Sequence, residues 1–208
     1  NGTLLRKKGH LLLEHPVRQV NISLHSFDAN IHMPGGMSFR DYIMSTIDFA
    51  MKFSPEHGIT AFRLWNQRDD LSQPLPGEPN DEILQMLAES FSFTGSLDPV
   101  LYQTNDARLA PDIYLSFDRK FDWPALDAPD YGSCGTCLGL KSHAAILCDG
   151  TVIPCCLDGD GIVKLGNIFT QSFQEILEGP RSQNLQKDFQ TRQIREPLCR
   201  RCGYRTRF

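Results

Sequence analysis

The chain has 208 residues with 21 Lys/Arg against 25 Asp/Glu, a formal net charge of −4, 40% apolar and 22% charged residues. That is the balance of a globular chain with room for one sizeable core, or one core and a satellite, and it excludes a disordered polyelectrolyte. No apolar run reaches bilayer-spanning length and no secretory signal opens the chain, so membrane association is not expected.

The first part alternates strand and helix signals. Between Val17 and His25, Val20, Ile22 and Leu24 alternate with polar residues, the period of a strand. Ser38 precedes Phe39, Tyr42, Ile43, Ile47, Ala50 and Met51 at helical spacing, and Asp41 three residues after Ser38 approximates a capping box. Ile59–Asn66 reads as a second strand, Asp81 to about Phe91 as a second helix, and Ile113–Phe117 as a third strand. This order argues for an α/β fold with a parallel sheet. His32–Met37, with two adjacent glycines but no phosphate-loop lysine, reads as a plain loop. Residues 66–80 and 118–133 lack periodicity, and the second reads as a linker between a domain at 1–130 and another at 131–208.

The second domain is built differently. Ala144–Cys148 and Thr151–Cys155 flank Asp149-Gly150, the signal of a hairpin with a two-residue type I′ turn. That hairpin brings Cys155 back toward Cys137. Ser172 and Glu175 give a capping box, Gly179-Pro180 ends that helix, and a further helix runs on until Pro197 breaks it. Cys199 and Cys202 follow as a Cys-x-x-Cys.

Cys137, Cys155, Cys199 and Cys202 supply four soft ligands in two groups, which suits an iron–sulfur cluster or a zinc ion. Cys134 offers a second Cys-x-x-Cys with Cys137, so Cys134, Cys137, Cys199 and Cys202 could instead form a zinc ribbon. Cys156 must point away from its neighbour Cys155 on an extended strand. Cys148 falls on the hairpin's first strand and is expected in the core, and His143 reads as a loop residue. Seven cysteines are an odd number, which fits a disulfide framework poorly and metal-bound thiolates in a reducing, cytoplasmic compartment better.

Residues 181–208 hold eight Lys/Arg against Asp188 and Glu196, a net of +6 that leaves −10 for the rest. A basic segment can signal nucleic acid or an acidic partner. Arginines offsetting the negative charge of four thiolates are the stronger reading here.

Cys137, twelve residues, Gly150, four residues and Cys155 resemble the opening of the auxiliary-cluster domain of radical S-adenosylmethionine enzymes, in its long SPASM and shorter Twitch forms. Cys155-Cys156-Leu157-Asp158, Leu165-Gly166-Asn167 and Phe173-Gln174-Glu175-Ile176 are similar to the segments that follow there. With Cys199 and Cys202 completing four ligands, the resemblance implies one auxiliary [4Fe–4S] cluster. Upstream, Asn1–Leu5 looks like the segment after the third barrel strand of these enzymes, and Val20–His25 resembles their fourth strand. The family's Cys-x-x-x-Cys-x-x-Cys is absent from the 208 residues.

The fold this implies is the C-terminal half of a partial parallel β/α barrel followed by a small α+β iron–sulfur domain with a β-hairpin. The chain is expected to be a C-terminal fragment of an oxidoreductase that abstracts hydrogen from a peptide, protein or small molecule, and to be inactive by itself. The resemblance gives Ser23 a place near the S-adenosylmethionine ribose. His25, Arg63 and Asn66 stand at strand ends, where parallel barrels place their chemistry, and each could equally be structural. A half-barrel should expose a sheet edge and an apolar face, and so dimerise or swap elements. The alternative is a non-catalytic zinc module whose basic tail contacts nucleic acid or an acidic protein.

Overall fold

The computed structural model describes residues 1–24, 36–67, 80–95, 97 and 105–208. The chain divides into two compact units, Asn1–Lys120 and Phe121–Phe208. No described helix is long and apolar enough to cross a membrane.

In the first unit the elements are α1 (Leu5–Glu14), β1 (Gln19–Leu24), α2 (Phe39–Phe53), β2 (Ile59–Gln67), α3 (Asp81–Ser90), β3 (Asp106–Ala110) and β4 (Ile113–Arg119). The sheet order is β1-β2-β4-β3, with β1, β2 and β4 parallel and β3 antiparallel to β4. Among the described residues the architecture is therefore a mixed α/β sheet rather than a wholly parallel one. The edge beside β4 is covered by β3 through a tight turn. Pro111 presets the turn and Asp112 adopts a φ of 58°, and the register resumes at Ala110 opposite Ile113.

One face of the sheet is apolar and the other polar, as period-two alternation requires. Ile22, Leu24, Phe62, Leu64, Ile113, Leu115 and Phe117 are buried with Tyr42, Ile43 and Ile47 of α2 and Ile83 and Leu87 of α3. The opposite face carries Ser23, Arg63, Ser116 and Asp106 in one cross-strand row. α2 starts at Ser38, whose hydroxyl oxygen accepts the Asp41 N–H at 3.1 Å and whose O–H donates to the Asp41 carboxylate at 2.7 Å. Aspartate replaces glutamate, and its carboxylate binds this hydroxyl in place of the return bond of a full capping box.

The second unit holds β5 (Ala145–Ile146), β6 (Thr151–Ile153) and β7 (Gly166–Asn167) in an antiparallel sheet, then α4 (Phe173–Glu178), α5 (Pro180–Gln190), α6 (Pro197–Arg200) and a terminal 3₁₀ turn over Gly203–Arg207. The hairpin is present, but its turn is not type I′. The Gly150 N–H donates to the Leu147 carbonyl and the Leu147 N–H to the Thr151 carbonyl, both at 2.9 Å, and only Gly150 has a positive φ, 82°. That is a three-residue loop closed by a left-handed glycine. A Cβ on Gly150 would overlap the Phe169 ring. Cys148 consequently sits exposed in the turn rather than in the core. Ser172 and Glu175 complete both halves of their capping box, at 3.2 and 2.8 Å. Pro197 opens α6 as its first residue instead of breaking the chain.

Candidate metal centre

The four cysteines stand on four successive stretches of the second unit. Cys137 stands on the segment entering the hairpin, Cys155 lies just beyond β6, Cys199 is on α6, and Cys202 precedes the terminal turn. Beneath them Val163, Leu185, Phe189, Ile194 and Leu198 form a buried apolar cluster, against which Cys137 and Cys199 pack. The loop between Cys155 and Val163 is shaped by Asp158, which is 3% exposed. Its two carboxylate oxygens accept the N–H groups of Ile162 at 2.8 Å and Val163 at 2.7 Å.

The four thiols are electrostatic neighbours in every pairing. Burial pushes the Cys155 thiol up to about 11, with the Cys137, Cys156 and Cys202 thiols adding to that rise. Burial also raises Cys199, reinforced by Cys137, Cys155 and Cys202. Cys202 is raised by burial too, with Cys137 contributing. Cys134 figures in none of these couplings. It is exposed, and its backbone bridges to Gln193. Cys156 is exposed as well, but it stands in the turn after β6 rather than on an extended strand, which ends at Ile153.

Backbone N–H groups point at three of the sulfurs. Gly139 donates to Cys137 Sγ at 3.4 Å, Leu157 to Cys155, and Tyr204 and Arg205 to Cys202. The donor two residues beyond the cysteine recurs in all three. At Cys199 the equivalent N–H, that of Arg201, is spent on the Leu198 carbonyl in the helical turn. Gly139 allows the close approach: a Cβ there would crowd the Pro154 carbonyl oxygen at 3.2 Å. Such N–H···S contacts stabilise thiolates and set the potential of any cluster they hold.

The donor set fits an iron–sulfur cluster. A single zinc ion draws four sulfurs to about 3.8 Å from one another, from a Zn–S length of about 2.3 Å. Among the described residues no group of three or more His, Cys, Asp or Glu side chains is placed to hold a single metal ion. A cubane asks for less convergence, because each thiolate binds a different iron.

Arg205 is 4% exposed and ties the surrounding turns together. Its Nε donates to the Cys199 carbonyl at 3.0 Å, Nη1 to Cys134 at 2.9 Å, and Nη2 to Gly132 at 2.8 Å and Arg200 at 3.4 Å. The other arginines of the basic segment have different partners. Arg181 pairs with Glu196 at 3.4 Å, Arg200 with Asp130 at 2.6 Å, and Arg195 with Asp188. Arg207 lies over the Phe121 and Tyr204 rings. The sulfur-directed N–H groups, the Asp158 carboxylate and the buried Arg205 were not singled out by sequence reasoning. The glycine two residues after Cys137 was the one readable sign of a close approach.

Of the residues considered in the first unit, Ser23 and Arg63 are register partners on the polar face, whereas Asn66 is buried. Ser23 is half-buried on the polar face of β1, and its hydroxyl makes no hydrogen bond among the described residues. Asn66 is buried at the end of β2, and its amide exchanges two hydrogen bonds with Asn80, at 2.8 and 3.1 Å. Asn66 thus joins a strand end to the start of α3. Arg63 lies over the Trp65 ring on the polar face. His25, and His32–Gly35 of the glycine loop, lie outside the described residues. His143 is an exposed loop residue whose Nδ1 is 2.9 Å from the Ser142 hydroxyl.

Residues 137–203 match the family model of SPASM, an iron–sulfur cluster-binding domain. The chain therefore carries such a domain, and the matched segment holds all four of the mutually coupled cysteines. Comparison with curated proteins and with solved structures found no match to either.

Proposed function

We propose that this chain is the auxiliary-cluster part of a radical S-adenosylmethionine oxidoreductase, and that Cys137, Cys155, Cys199 and Cys202 hold one [4Fe–4S] cluster. The observation that carries the reading is that these four cysteines, drawn from separate stretches of chain, all fall within a segment that matches an iron–sulfur cluster-binding domain. When bound, the cluster supplies a one-electron carrier. The chain's own part is to surround it with apolar side chains, aim N–H groups at three sulfurs, and keep Cys134, Cys148 and Cys156 outside the ligand set.

The parallel run β1-β2-β4, with α2 and α3 on one face, is read as part of the parent's β/α barrel. Its polar face would then look toward cofactor and substrate, with Ser23 as the S-adenosylmethionine contact. Asn66 is engaged with Asn80 and acts there as a structural tie. The parent would modify a peptide, protein or small molecule by hydrogen abstraction. No residue of this chain is assigned to radical initiation, because the Cys-x-x-x-Cys-x-x-Cys is not among its 208 residues.

Anaerobic reconstitution with iron and sulfide tests the reading. One [4Fe–4S] per chain is expected, lost in Cys155→Ala and Cys199→Ala and retained in Cys134→Ala, Cys148→Ala and Cys156→Ala. Stoichiometric zinc without cluster absorbance would sink it. Loss on Cys134→Ala with Cys155→Ala harmless would move the site to the ribbon arrangement.

A further inference from the structure

We infer that Arg205 is the fixed counter-charge of the four-cysteine site, a positioning residue that joins the two ligand-bearing segments and raises the reduction potential of the cluster they hold. The inference rests on the four-cysteine reading above and adds a specific cation to it.

The first support is an imbalance of charge. Arg205 is 4% exposed, yet every acceptor it meets among the described residues is a backbone carbonyl: Gly132, Cys134, Cys199 and Arg200. Carbonyl dipoles satisfy N–H donors without neutralising the guanidinium. A buried cation lacking an anion is unfavourable unless one is supplied. Three other arginines of this segment do have carboxylate partners, Glu196, Asp188 and Asp130. What Arg205 has instead is the thiol site: its Nε holds the carbonyl of Cys199 at 3.0 Å, and Cys202 stands three residues before it in the same turn.

The second support is connectivity. Nε holds the Cys199 carbonyl while Nη1 holds that of Cys134, three residues before Cys137. One side chain therefore spans both ends of the ligand set. Gly135, at φ +145°, leaves room for it, since a Cβ there would overlap Nη1.

The consequence is electrostatic. Reducing the cluster by one electron adds one negative charge to a group already made negative by four thiolates. A fixed cation stabilises that more negative state, so it makes reduction easier. Surrounding charge is among the terms that set cluster potentials.

The test uses the full chain, reconstituted anaerobically, as wild type, Arg205→Met and Arg205→Lys, with potentials read by dithionite titration and electron paramagnetic resonance. Arg205→Met is expected to load and to titrate at a more negative potential than wild type, with Arg205→Lys between the two. If Arg205→Met takes up no cluster, Arg205→Lys loading at a near-wild-type potential still supports the counter-charge. Arg205→Met loading with an unchanged potential overturns it. So does equal failure of both variants in folded protein, which assigns Arg205 to architecture alone. A wild-type chain that takes up no iron and sulfide would instead refute the four-cysteine reading itself, and this inference with it.

Discussion

The unit Asn1–Lys120 is held by a continuous apolar core running from Ile22 on β1 to Phe117 on β4, with helices α2 and α3 packed into it. In Phe121–Phe208 the main apolar cluster is only Val163, Leu185, Phe189, Ile194 and Leu198. Its place is taken by polar fasteners: Asp158 under one loop, Arg205 across several turns, a complete cap at Ser172, and the thiols. Small modules that cannot bury enough apolar surface commonly rely on such staples, a structural metal among them. The difference shows why a cluster belongs in the second unit. Most of its ordering must come from specific contacts and from what the cysteines bind.

Four measurements would break or sharpen that contrast. The largest effect is expected for Phe62→Ala, which empties a fully buried site under β2 and should cost the first unit about 3–5 kcal/mol in denaturant unfolding. Iron loading should be unchanged, and a parallel fall in loading would mean that the units are not separately held. Next, Asp158→Ala leaves the Ile162 and Val163 N–H groups without their acceptors and should cost about 2–3 kcal/mol. Hydrogen exchange should place that loss within 121–208; an effect spread over the whole chain would contradict it.

The third test is pH. A thiol that ionises near 9.0 when free and is pushed up to about 11 at Cys155 keeps its proton longer in the fold than in the unfolded chain. Above about pH 9 the unfolded state therefore binds fewer protons, and stability falls with rising pH. Apo protein should keep its full melting temperature below that point and lose it progressively toward pH 11. The first unit contains no cysteine and should not follow this trend. The smallest effect belongs to Ser172→Ala, about 1 kcal/mol from the lost cap, which thermal melting should register as a shift of a few degrees at most.

Strongly periodic segments were legible from sequence alone. Ile59–Gln67 and Phe39–Phe53 bury alternate residues and one helical face respectively, and their patterns announce it. The misses have physical reasons. β3 is five residues long with alanines at two of its inward positions, so its alternation carries little hydrophobic contrast. α1 has no side-chain cap to mark its start. Asp149-Gly150 suits both a two-residue turn and the third position of a longer loop, and only the hydrogen bond from Leu147 to Thr151 separates them. Pro197 can end one helix or begin another, and here it begins the turn that presents Cys199. At the site, the soft side chains were readable as a set. The N–H donors and the choice of Arg205 among eight basic residues depend on backbone path, which no residue pattern reports.

The four thiols arrive as two local pairs. Cys137 and Cys155 are brought near one another by a single hairpin, and Cys199 and Cys202 sit around one short turn. Joining the pairs closes one long excursion of the chain, from Cys155 to Cys199. Doubling the length of such a loop costs only about 0.6 kcal/mol, whereas altering either local pair changes the geometry of its backbone outright. Assembly is thus a meeting of two half-sites, each already shaped. Chain length between the pairs is a permissive variable; spacing within each pair is a strict one.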